Sequence, residues 1–239
     1  MNRKNMTISI VGVIAQVIFL LSLYRFNEGN SSYFVFNGVD VSNNYSLLVM
    51  WYLFFAVISF STMGYVRQFL TKYGILLVTR EHKKIKLSFK QLGRLTLFII
   101  MMCTIQISLA TVCSLVLFEE TFSIANGWWL TMLLYIMTIV TLIYIQQLLE
   151  LFLNETVALL IINSYVILSV ILGGILIETG ESLAGIYFLI PNFSMFYRIE
   201  AVTNVSSYLS YGSMFSILIS LLVVLCMGMY YKFKALDFV

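Results

Sequence analysis

Residues Arg67 to Arg94 read RQFLTKYGILLVTREHKKIKLSFKQLGR, and this stretch decides the fold. It holds eight of the fourteen Lys and Arg residues in a chain of 239 residues, and its only acid is Glu81. Apolar runs of membrane-crossing length flank it on both sides. Because short loops rich in Lys and Arg stay on the cytoplasmic side of a membrane, the stretch predicts a cytoplasmic loop. That assignment sets the orientation of every other segment.

The composition is that of a membrane protein. Hydrophobic residues make up 61% of the chain and charged residues 10%, whereas soluble domains have about 25% charged residues. With one proline and no Gly/Ser-rich linker, residues 1–239 are expected to form a single transmembrane domain. The net charge of +3 does not indicate a nucleic-acid partner, because the basic residues lie beside apolar runs.

The apolar runs predict an all-α integral membrane protein with six transmembrane helices, since a helix needs about 20 apolar residues to cross a bilayer. The spans lie at about residues 7–24, 46–65, 95–118, 128–149, 157–177 and 213–231. The third helix is expected to begin earlier, near Lys84, because Ile85, Phe89 and Leu92 recur at helical spacing.

The distribution of charge favours both termini in the cytoplasm. With that orientation twelve basic residues lie inside, and only Arg25 and Arg198 lie outside. Seven of the eleven acids fall outside. The excess of Lys and Arg in short inside loops is the observation that decides the predicted orientation.

No charged residue falls within the six predicted spans. Ion-coupled carriers usually hold an ionisable group in the membrane, so a secondary carrier is disfavoured. The amides in the spans are expected to hold helices together rather than to bind substrate; they are Gln16, Gln106, Gln146, Gln147 and Asn163.

The sequence has no phosphate-binding loop and no H-E-x-x-H motif. Its single histidine, His82, is interpreted as a solvated loop residue. The three cysteines show no metal-ligand or disulfide spacing. We therefore predict no catalytic residue, no metal site and no cofactor in this chain.

Residues Glu178 to Gly212 form the irregular part of the chain. The apolar run Leu183–Ile190 is too short to cross a bilayer, and Pro191 disfavours helix just before it. We expect a helical re-entrant pair broken at Pro191. Its aromatic residues line a path for a lipidic or peptide substrate, or anchor the segment at the interface; they are Tyr187, Phe188, Phe193, Phe196 and Tyr197.

The basic loop contains an apolar stripe at helical spacing, which predicts a short amphipathic helix over Phe69 to Val78. The stripe consists of Phe69, Leu70, Tyr73, Leu76 and Leu77. Gly74 beside it would allow a partner's backbone to approach closely. An exposed stripe of this kind marks a protein interface, and the alternative is a helix lying flat on lipid phosphates through Arg67, Lys72 and Arg80.

The whole layout resembles the permease subunits of type-two ATP-binding-cassette exporters. The local likeness is carried by Tyr73-Gly-Ile-Leu-Leu-Val-Thr-Arg80, followed by Gly93 at the foot of the third span, and by Pro191 before the last span. In that family a Gly and a Leu-Leu pair mark the coupling helix that fits a groove on the ATPase. The resemblance implies ATPase-coupling residues in the basic loop, namely Phe69, Leu70, Tyr73, Gly74, Leu76, Leu77 and Arg80.

The resemblance also implies the partners. A separate ATPase chain would hold ATP and magnesium, and a second permease subunit, identical or related, would complete the path through the cell membrane. The expected function is export of an amphipathic substrate such as a peptide antibiotic, in export or immunity. Two alternatives stay open: a sensor or accessory subunit that binds a peptide without transporting it, and an uncoupled secondary carrier.

The predicted topology is testable by cysteine labelling. In a cysteine-free background, a single Cys at Ser42 should react with an impermeant reagent in intact cells, and a single Cys at Ser88 should not. The reverse pattern would show that the orientation is wrong.

Overall fold

The computed structural model describes residues 7, 9–18, 38–39, 45–68, 84–118, 128–180, 183–205 and 210–235, and every regular element in these ranges is a helix. Two 3₁₀ helices, Leu183–Phe188 and Ile190–Ser194, lie between α5 and α6. The α-helices are α1 (Ser9–Ile18), α2 (Tyr45–Thr62), α3 (Lys84–Phe118), α4 (Trp128–Glu150), α5 (Glu155–Thr179), α6 (Phe196–Val205) and α7 (Tyr211–Ala235).

Five helices are long and apolar enough to cross a membrane. They are Leu47–Gln68, Phe89–Leu109, Trp129–Glu150, Glu155–Thr179 and Tyr211–Phe233. These helices indicate a multi-pass membrane protein. The apolar helix Ser9–Ile18 is shorter, and residues 19–24 of the predicted first span lie outside the described residues.

The helix boundaries follow the sequence pattern with one clear departure. The third helix does begin at Lys84, as its periodicity predicts. The predicted continuous second span is interrupted, because α2 ends at Thr62 and a turn at Met63 and Gly64 precedes a last helical turn up to Gln68. Gly64 has a φ of 69°, a left-handed conformation that favours glycine over residues with a side chain.

Helix α4 is the centre of the bundle. It packs against α2, α3, α5, α7 and the second 3₁₀ helix. In the most apolar stretch of α4, 67% is buried inside the protein, whereas 22% of the corresponding stretch of α7 is buried. Helix α4 is therefore enclosed by protein, and α7 turns most of its surface outward.

Amides hold several of these helices together, as the sequence predicts. Nε2 of Gln106 on α3 donates to the carbonyl of Phe54 at 3.1 Å, and the hydroxyl of Tyr135 on α4 donates to Oε1 of Gln106 at 3.0 Å. One side chain therefore joins α2, α3 and α4. Gln16 is different: it is buried, and its amide makes no hydrogen bond within the described part of the chain.

Candidate functional site

The first candidate site lies at the turn between the end of α2 at Thr62 and the helical turn of residues 65–68, a junction that we call the break in α2. The turn at Gly64 leaves backbone groups of α2 without partners in their own helix, and α4 supplies them. Nε2 of Gln147 donates to the carbonyl of Thr62 at 3.0 Å, and the amide of Val66 donates to Oε1 of Gln147 at 3.1 Å. The amide of Gly64 donates to Oε2 of Glu150 at 2.9 Å. Two side chains of α4 thus bridge the break in α2.

Glu150 is the buried carboxyl group of this site. It lies one residue beyond the predicted fourth span at 128–149, and the structure makes it the last residue of α4 and leaves it 1% exposed. Its Oε1 accepts a hydrogen bond from Nε2 of Gln146 at 2.9 Å. The donors that hold the carboxyl group thus include the Gln146 side chain and the backbone of Gly64, and both are neutral.

Further polar side chains extend this site along α2. Oγ of Ser59 donates to Oε1 of Gln146 at 2.8 Å, and Nδ2 of Asn163 on α5 lies 3.3 Å from Oγ of Ser59. The hydroxyl of Tyr52 donates to Oδ1 of Asn163 at 2.8 Å. We call Ser59, Gln146, Gln147, Glu150 and Asn163 the α2–α4 polar cluster. It joins three helices by hydrogen bonds among buried side chains.

The end of α2 is fixed to the α4–α5 turn as well. A Cβ atom on Gly64 would require the carboxylate of Glu155 to move aside, and the positive φ of Gly64 itself favours glycine. Nη1 of Arg67 donates to the carbonyl of Leu153 at 3.0 Å. The chain then enters residues 69–83, which hold all of the predicted coupling residues. These residues lie outside the described part of the chain.

The second candidate site surrounds the 3₁₀ helix Ile190–Ser194, whose five residues are all buried. Nδ2 of Asn192 donates to the carbonyl of Ser169 at 3.0 Å and to that of Leu189 at 2.9 Å. A Cβ atom on Gly173 of α5 would overlap the Asn192 amide. The absence of a side chain at Gly173 therefore lets the second 3₁₀ helix lie directly on α5.

Arg198 is the charged residue of the second site. The charge count places it on the outer side of the membrane without indicating its burial, and it is 1% exposed in the structure. Its Nε donates to the carbonyl of Val39 at 3.1 Å, and its Nη1 donates to the carbonyl of Val170 at 2.6 Å and to Oδ1 of Asn192 at 2.8 Å. One guanidinium group thus ties residues 38–39, α5 and the second 3₁₀ helix together.

The segment that follows α5 folds back along it. The hydroxyl of Tyr165 donates to the carbonyl of Phe188 at 2.7 Å, and the amide of Ile190 donates to the Tyr165 hydroxyl at 3.3 Å. Tyr165 lies fourteen residues before the end of α5 at Thr179, which is roughly 20 Å along the helix at 1.5 Å per residue. The segment thus reaches the middle of α5.

The residues predicted for a substrate path differ in their exposure. Pro191 and Phe193 are buried in the bundle, Phe196 and Tyr197 are half-buried, and Phe188 is 80% exposed. The two 3₁₀ helices separate at Leu189, two residues before Pro191. The predicted break is therefore close to its expected place.

Sequence reasoning missed Glu150, Asn192 and Arg198 as site residues. Arg198 had a signal, because it is the only charged residue between Leu183 and Ile199, and a lone charge in an apolar segment needs buried partners. Glu150 had a weaker sequence signal, because the preceding pair Gln146-Gln147 offers amide side chains on the same helix. Within the described ranges, no group of three or more His, Cys, Asp or Glu residues is placed to hold a metal ion.

Comparison with known proteins gives a family and a relative. The model of a family described as "Protein of unknown function (DUF2705)" matches residues 8–239. The Bacillus subtilis (strain 168) protein described as "Uncharacterized protein YybK" is 27% identical over an alignment of 188 residues that covers 76% of this chain and 75% of that protein. No solved structure matches the chain.

The contact between Gly173 and Asn192 predicts that a single methyl group added at position 173 lowers the stability of the protein. Gly173→Ala should destabilise the protein by about 1–3 kcal/mol, the usual cost of overpacking, because Asn192 is held in place by three hydrogen bonds. The measurement is the midpoint of thermal unfolding of the purified protein in detergent.

Gly93→Ala is the matched control, since a Cβ atom there meets nothing within 4 Å. It should leave stability unchanged or raise it by up to about 1 kcal/mol through helix propensity. Equal midpoints for the two variants would contradict the assignment of Gly173 as a required close contact.

Proposed function

The chain belongs to the DUF2705 family, and we propose that it is the membrane-spanning subunit of an ATP-binding-cassette exporter. In this role it forms the path for an amphipathic substrate such as an antimicrobial peptide. A separate cytosolic ATPase binds to residues 69–80, and a second permease subunit completes the path. The observation that carries the proposal is the position of the α2–α4 polar cluster at the start of that basic, apolar-striped segment.

The cluster supplies what a coupling segment needs, a firm connection to the rest of the bundle. Gln147 and Glu150 bond the backbone on both sides of the α2 break, and Arg67 bonds the α4–α5 turn. A displacement of residues 69–80 would therefore be carried into α4 and α5 and not absorbed by a free helix end. Alternating access in the proposed exporter uses this connection to transmit closure of the ATPases.

The proposal includes a re-entrant segment over residues 183–197. Its support is the fold-back along α5 to Tyr165 and the burial of the second 3₁₀ helix between α4 and α5. Non-helical backbone is tolerated at membrane depth only where protein or a water-filled cavity surrounds it. In this role the segment closes one end of the path, with Phe188 on its exposed side.

An ion-coupled carrier is the second candidate, and Glu150 is the observation that favours it. A buried carboxyl group in a membrane helix is a functional-site candidate by default. The exporter proposal gives the same residue a structural task, which is to accept the amide hydrogen bond of Gly64. The two roles differ in whether the charge of Glu150 is needed.

The coupling assignment predicts a specific loss on Leu76→Asp. An unpaired charge in the interface with the ATPase should cost several kcal/mol, so the ATPase that copurifies with the wild-type chain from native membranes should be lost. Thr71→Asp is the matched control, because position 71 lies opposite the apolar stripe on a helix. Retention of the ATPase and of its turnover by the Leu76→Asp variant would show that the coupling assignment is wrong.

Glu150→Gln separates the exporter from the carrier. The variant keeps an oxygen that can accept the hydrogen bond of Gly64 but removes the charge. The test uses liposomes that contain only this chain. An amphipathic peptide is added as the candidate substrate, and a trapped pH-sensitive dye reports proton movement. The exporter proposal expects no proton flux that depends on Glu150. Flux in the wild-type chain that disappears in Glu150→Gln would favour the carrier.

A further inference from the structure

An open apolar groove runs along the outer side of α7. Its volume is about 510 Å³, and it is lined by Phe89 of α3 and by seven residues of α7 between Ile219 and Tyr231. Antiparallel packing sets this shape, because Phe89 near the start of α3 lies against Tyr230 near the end of α7, with ring centroids 6.4 Å apart. From Ile219 to Tyr231 the groove extends roughly 18 Å at 1.5 Å per residue.

The groove has one basic end. Helices α3 and α7 together contain six basic and no acidic residues, and all six lie at the end where Phe89 meets Tyr230. They are Lys84, Lys86, Lys90, Arg94, Lys232 and Lys234. Lys86 lies one helical turn before Phe89, Lys90 lies directly after it, and both are exposed. The rest of both helices, up to Phe118 and back to Tyr211, carries no charge.

The aromatic residues at the basic end fix its depth in the membrane. Tyr230 and Tyr231 form an edge-to-face pair with centroids 5.6 Å apart, and both line the groove. Tyrosine is enriched at the level of the lipid headgroups. The apolar length of the groove then runs from this level into one leaflet, whose hydrocarbon half measures about 15 Å of the roughly 30 Å core.

We propose that this groove is a binding site for an anionic phospholipid. One acyl chain lies along α7 between Ile219 and Tyr231, and the phosphate lies between Lys86 and Lys90. Basic pockets between transmembrane helices at headgroup level are recognised sites for anionic lipid headgroups. The site is independent of any ATPase partner and requires only that the protein lies in a bilayer.

Charge argues for a lipid over a second copy of the chain as the occupant. A two-fold contact through this groove would place the same patch of each copy against the other. Such a contact would either bring the two basic ends together or place each basic end against the uncharged half of the other copy. Neither helix has an acidic residue that could balance this charge. A lipid phosphate is complementary to the basic end, and its acyl chain is complementary to the apolar length.

Native mass spectrometry of the purified full-length chain in neutral detergent tests this proposal. The probes are phosphatidylglycerol and phosphatidylcholine with the same acyl chains. We expect one tightly retained phosphatidylglycerol and an affinity roughly tenfold above that for phosphatidylcholine, since each lysine near an anionic lipid adds to binding. The double variant Lys86→Gln/Lys90→Gln should remove most of this preference and leave phosphatidylcholine binding unchanged.

Filling the groove gives an independent test with a matched control. Val223→Trp places a large ring in the groove and should abolish retention of phosphatidylglycerol. Val224→Trp adds the same ring to the next residue, which is 61% exposed and does not line the groove, and it should retain the lipid. Met227→Trp provides a second filling variant, and the thermal midpoint of each variant shows that it is folded.

Three results would overturn the proposal. The first is equal retention of the two lipids by the wild-type chain. The second is equal retention of phosphatidylglycerol by a folded filling variant and by Val224→Trp. The third is a wild-type chain that retains no lipid and is found as a dimer disrupted by Val223→Trp, which would assign the groove to a second copy.

Discussion

The structure depends on one constraint: a backbone amide or carbonyl group removed from water must find a hydrogen-bond partner in the protein. The long helices meet this constraint within themselves. At Gly64 and at residues 183–194 the α-helical pattern is interrupted inside the bundle, and side chains supply partners in both places. Gln147 and Glu150 serve the break in α2, whereas Tyr165 and Asn192 serve the 3₁₀ segment.

Both interruptions also bury an ionisable residue, and the two are held in the same manner. Glu150 accepts hydrogen bonds from an amide side chain and a backbone amide, and Arg198 donates to two backbone carbonyls and an amide oxygen. A guanidinium group offers five N–H donors in a fixed planar arrangement, which suits a residue that must join three separate segments. Loss of either residue would leave several buried groups without partners, which costs more than the bonds themselves contribute.

Sequence reasoning predicted the long helices well because their signal is local. The start of α3 at Lys84 followed from the spacing of Ile85, Phe89 and Leu92 alone. The break at Gly64 was missed because residues 46–65 contain no charged residue and no proline, and a positive φ leaves no mark in hydropathy. The burial of Arg198 and Glu150 was missed because the positive-inside rule and the span boundaries carry no information on whether a charged side chain is buried. Their burial depends on partners far away in sequence, Val39 for Arg198 and Gly64 for Glu150. The ATPase-coupling residues of 69–80 lie outside the described residues, and their role remains a prediction.

Helix α4 connects the two interruptions physically. Its last residues, Gln146 to Glu150, bond the end of α2, and the same helix packs against the second 3₁₀ helix. At 23 residues it is roughly 35 Å long at 1.5 Å per residue, and it is enclosed on most sides by protein. An enclosed helix moves as a unit, because close-packed interiors deform little.

Under the proposed function, a shift imposed on α2 next to residues 69–80 would therefore reach the 3₁₀ segment through α4. The hydrogen bonds of Gln147 and Glu150 transmit that displacement from α2 to α4. Weakening them without unfolding the bundle should separate ATP hydrolysis from transport before it affects assembly with the ATPase.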